Sequence, residues 1–127
     1  MHSDSDQRRS ALLLTKQLAE LDEQRGKLVH QYLKLVSLLH TRTYRSERGR
    51  EYAFHGFGRR LEILRTAIDE VFTALPPERE GIPENEERLK ATIAIQAFVL
   101  NIMGCLDNLA WIWVYERSVT GKDGGRA

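Results

Sequence analysis

Between Thr92 and Tyr115 the chain is apolar nearly all the way round a helix. One seam reads Ile95, Val99, Ile102, Leu106, Leu109 and Trp113, stepping by four and three. A second reads Leu89, Ile93, Leu100, Met103, Ala110 and Val114, interrupted by Gln96 and Asp107. A third face is small: Ala94, Ala97, Asn101, Gly104 and Asn108. Small residues let a neighbouring backbone come close, and the two asparagines can hydrogen-bond across the contact. Such a helix needs cover on every side. A membrane would supply it, but Gln96, Asn101, Asp107 and Asn108 are each expensive in hydrocarbon. A central buried helix over about 85–118 of a water-soluble bundle, with no membrane partner, is therefore the expectation.

Two further helices are predicted, over about 5–45 and 57–75. In the first, Leu14, Leu18, Leu21, Leu28, Tyr32, Leu35 and Leu39 form a heptad seam broken only by Arg25. In the second, Phe57, Leu61, Leu64, Ile68, Val71 and Leu75 repeat the pattern until Pro76-Pro77 removes an amide donor and stops it. Thr43 to Gly58, with three glycines, reads as less regular, Pro76 to Glu84 as a loop, and 119–127 as a flexible tail. Glu84 or Asn85 can cap the last helix. The expected fold is all-α: one domain over 1–127, a bundle of three long antiparallel helices. Two amphipathic helices cannot cover the whole circumference of the third, so a homodimer completing the core is expected. Trp111 and Trp113 point to different sides, so one packs within the subunit and the other at an interface.

The 127 residues carry 19 basic and 18 acidic side chains, a formal charge of +1 that excludes a strongly basic nucleic-acid wrapper. That balance hides a segregation. Residues 1–41 sum to +1, residues 42–65 to +4 and residues 66–127 to −4. The basic middle, TRTYRSERGREYAFHGFGRR, interleaves arginine with Tyr44, Tyr52, Phe54 and Phe57. Guanidinium forks beside aromatic faces suit phosphates and bases, with Arg45, Arg48, Arg59 and Arg60 as candidate phosphate or RNA contacts. The plainer alternative is a connector whose arginines pair with the acidic third segment. A single cysteine, Cys105, and the polar start from Met1 to Arg9 suggest a reducing, cytoplasmic setting.

Arg50 and His55 stand in the spacing Arg-x4-His, which Arg25 and His30 share. The Arg50–His55 pair resembles the catalytic motif of HEPN domains, small and usually dimeric all-α bundles, many of them RNases of toxin and defence systems. The resemblance implies a catalytic pair, Arg50 and His55, acting on an RNA 2′-hydroxyl and the scissile phosphate. Asn101, Asp107 and Asn108 form a candidate buried polar lock, because an unpaired carboxylate among apolar residues is costly. Asp107 would need Arg59, Arg60 or His55 as its partner. With an arginine it would fix register; with His55 it would orient a general base. No zinc or di-iron spacing occurs, so neither a metal nor a cofactor is expected. The leading expectation is a self-associating interaction or assembly module without enzymatic activity; the alternative is a HEPN-like ribonuclease or RNA-binding domain.

Overall fold

A computed structural model describes residues 2–118, which are almost entirely helical and contain no strand. The tail expected from residue 119 lies outside the described residues. Helix α1 spans His2–Thr41, about 60 Å at 1.5 Å per residue. Its seam residues Leu18, Leu21, Tyr32, Leu35 and Leu39 are half-buried, whereas residues 3–17 are all exposed. Arg25, the break in the seam, has a partner there. Its guanidinium lies 4.2 Å from the Phe72 ring centroid and 3.3 Å from the Asp69 carboxylate.

The second rod begins earlier than the hydrophobic period predicts. Ser46 caps α2 (Glu47–Glu51), its hydroxyl accepting from the Gly49 amide at 3.2 Å. A π-helical segment (Tyr52–Gly58) follows without a break and runs into α3 (Arg59–Ala74). The stretch read as irregular is thus helical from Glu47 onward. Glycine weakens a helix through backbone entropy, but two of these glycines are contact points. A Cβ at Gly49 would sit 2.6 Å from the Glu116 carboxylate, and one at Gly56 would sit 2.7 Å from the Asn108 amide oxygen. Tertiary contact outweighs the propensity.

Helix α3 ends immediately before Leu75 and the two prolines. Helix α4 spans Asn85–Arg117 and opens with a reciprocal capping box between Glu84 and Glu87. The Glu84 amide donates to Glu87 at 3.0 Å, and Arg79 also bonds that carboxylate. The amide bond, with Arg79 adding to it, holds the Glu87 carboxyl below its usual range.

Contacts along the rods run in opposite orders. Tyr32 meets Arg65 and His40 meets Phe54 on one side; Arg60 meets Asn101 and Gly56 meets Asn108 on the other. Helix α4 turns its small face inward, burying Ala91, Ala94, Cys105 and Asn108. Many of its large side chains point away. Val99 is 54% exposed, Met103 63% and Leu106 58%. Within one chain α4 is therefore not the centrally buried helix expected from its composition, because the other rods approach only its small side. The tryptophans divide accordingly: Trp111 is half-buried against Tyr52, and Trp113 is exposed.

Candidate functional site

The far end of α4 holds the basic segment in place. Glu116 is buried, and its carboxylate accepts the backbone amides of Arg45 at 2.9 Å and Ser46 at 3.3 Å. Two backbone donors, at the N-cap of α2 and the residue before it, are thereby satisfied by a residue about seventy positions away. Below this anchor, Tyr52, Trp111 and Tyr115 form a stacked cluster with ring centroids 5.6–6.0 Å apart. Arg48 donates to the Tyr115 hydroxyl at 3.0 Å, and that bond stabilises its protonated form further. The Tyr44 hydroxyl donates to the Leu39 carbonyl at 2.9 Å, and burial pushes its pKa up.

Arg50 and His55 are both exposed and line one shallow trough with Glu47, Arg48, Glu51 and Phe54. The π segment helps bring them together. Residues five apart on an α-helix diverge by roughly 140°, whereas a turn closing i→i+5 brings them nearer one side. Such segments recur at functional sites. The Arg50 guanidinium lies 5.5 Å from the Phe54 centroid. A second depression adjoins the trough, sharing Arg48, Glu51 and His55 and adding Tyr52, Gly56 and Asn108. The other pair of matching spacing, Arg25 and His30, has its arginine committed to Asp69 and Phe72.

The remaining candidates scatter. Arg45 is exposed beside its amide anchor. Arg59 lies along a different groove, between α3 and α4, with Glu62, Glu70 and Lys90. Arg60 turns inward across Gly104 and donates to the Asn101 side chain at 3.1 Å, so it faces a neighbouring helix rather than a phosphate. No arginine of residues 42–65 forms a salt bridge among the described residues, so the pairing with the acidic third segment is not seen. The polar lock is also different from the expected one. Asp107 is exposed on the uncovered side of α4 and, among the described residues, forms no hydrogen bond or ion pair with His55 or an arginine. Asn101 takes the arginine in its place, because it lies on the face that α3 approaches.

Glu116 lies beyond the apolar run, and nothing in its local sequence signals its role as an anchor. The Trp111–Tyr115 spacing of four is a usable signal, since such pairs share a helix face. Among the described residues no three His, Cys, Asp or Glu side chains gather to hold a metal. Cys105 is buried, and burial raises its thiol pKa despite the nearby Arg60. Its reaction with a disulfide reagent at pH 8 is expected to be at least about tenfold slower in the folded chain than in denaturant; equal rates would show that the thiol is accessible. The chain matches no protein-family model, no curated protein and no solved structure.

Proposed function

We propose that the protein is a self-associating helical module, a homodimer whose bundle of three antiparallel helices is completed by a second copy on the outer side of α4. The single observation that carries this reading is the uncovered apolar side centred on Val99, Met103 and Leu106. Helix α4 is also long and apolar enough to cross a membrane. A second copy is the better cover, because Asp107 projects from the same exposed side and the other two rods are polar on one face. The unpaired Cys105 agrees with a cytoplasmic setting. Light scattering at low micromolar concentration is expected to give twice the 14.7 kDa chain mass. A monomer there would overturn the reading, and a chain soluble only in detergent would favour the bilayer.

The shared trough of Arg50 and His55 supports a second reading, a HEPN-like RNA-binding or RNA-cleaving site. In it the His55 imidazole takes the proton of a 2′-hydroxyl. That oxygen then attacks the phosphorus, closing a 2′,3′-cyclic phosphate and breaking the bond to the 5′-oxygen, which leaves with a proton from water, while Arg50 holds the non-bridging oxygens. His55→Ala is expected to lower RNA cleavage by about a hundredfold or more. Equal cleavage by both chains, or cleavage by neither, would remove the enzyme claim.

A further inference from the structure

We propose that the depression between the π segment and α4 binds one nucleotide unit, with the Asn108 amide reading the edge of its base. For the ligand class the proposal rests on the second reading above; for the site it rests on Asn108.

Asn108 is 8% exposed, and its side chain makes no hydrogen bond to another described residue. No buried side-chain nitrogen or oxygen lacks a partner among the described residues, so the small part of Asn108 that stays accessible is its amide, which is open to solvent and free to exchange that solvent for a ligand. Asn101, two turns earlier on the same face, shows the contrast. Its oxygen accepts from Arg60, and its nitrogen donates to the Ala97 carbonyl at 2.7 Å. Asn108 instead borders an open depression of about 410 Å³ with Arg48, Glu51, Tyr52, His55 and Gly56, within the usual size range of small-ligand sites. Gly56 is what lets the amide lie there, since a Cβ at that position would overlap it.

The surrounding chemistry narrows the ligand. An asparagine amide offers one donor and one acceptor in a plane, the complement of an adenine edge or of an unstacked base's pairing edge. Arg48 is held by Tyr115, and Arg50 stands across the shared wall with His55, so cationic groups flank the amide on the trough side. Together they suit a phosphate joined to a base. Tyr52, steadied by Trp111 and Tyr115, supplies an aromatic edge. Glu51, between them, can accept from ribose hydroxyls and disfavours a second phosphate.

The test titrates the full chain with adenosine monophosphate and, separately, with a fluorescein-labelled twelve-nucleotide single-stranded RNA. The readouts are the NMR resonance of the Asn108 side-chain amide and fluorescence anisotropy. A shift of that resonance is expected with at least one probe. Response to the mononucleotide identifies a free nucleotide as sufficient; response to the oligonucleotide alone identifies nucleic acid. Asn108→Leu is expected to weaken binding at least tenfold while leaving the thermal midpoint unchanged or higher, because the amide gives up no hydrogen bond within the described residues. An unmoved amide with both probes would overturn the proposal, as would wild-type affinity in Asn108→Leu. The wild-type NMR arm decides alone if that variant fails to fold. A chain that binds through Asn108 but never cleaves RNA sinks the ribonuclease reading and leaves this one standing.

Discussion

Glutamate at both Val99 and Met103 is expected to convert the protein from dimer to monomer at micromolar concentration. The two positions lie one turn apart at the centre of the uncovered side of α4, both more than half exposed within one chain. Covering such a side chain contributes about 1.5–3 kcal/mol, and two-fold symmetry counts each position twice. Burying a carboxylate there adds a further penalty. A weakening of about 4 kcal/mol or more, roughly a thousandfold in dissociation constant, is expected. The substitutions disturb nothing inside the chain, so helical circular dichroism should persist. Ile82→Glu serves as the control, since Ile82 sits in the loop before α4 and is already 87% exposed. Sedimentation velocity on the three proteins decides the matter. A double variant that sediments with the wild type would place the contact elsewhere, and the exposed leucines of α1 would be the next surface to test.

Glu116→Ala carries the second large effect, this time on the subunit. The Glu116 carboxylate accepts the amides of Arg45 and Ser46 and packs on Gly49. Removing it leaves two donors without an acceptor at the entry to α2, and hydrogen bonds to charged groups are worth about 1.5–3 kcal/mol each. A loss of about 3 kcal/mol is expected, visible as a fall of roughly 10 °C in the thermal midpoint. Glu116→Gln, which keeps one acceptor oxygen, should lose about half as much. Because this anchor positions the segment bearing Arg48, Arg50 and His55, any ligand affinity of the trough should fall with it. A Glu116→Ala chain as stable as the wild type would show that solvent satisfies both amides, and that the anchor does not hold the basic segment.

Helical content was legible residue by residue. The heptad steps of Leu14 to Leu39 and of Phe57 to Leu75, and the two prolines after Leu75, act through local periodicity and local sterics. So was the excess of apolar surface on the last helix, which composition alone reveals. The outcome for Thr43 to Gly58 was not legible. Its glycines read as turn formers, and their contacts with Glu116 and Asn108 come from residues more than fifty positions away. Arg25 reads as a flaw in a seam until Phe72 and Asp69 are placed opposite it. Asp107 and Asn108 are neighbours with the same apolar surroundings in sequence, yet one is exposed and the other buried, because successive residues on a helix point about 100° apart. Periodicity says that a face exists. Which face turns inward depends on how closely another rod can approach, and here the small residues of α4 decide it. That choice buries Asn108 beside Arg48 and His55, and leaves Val99, Met103 and Leu106 for a partner.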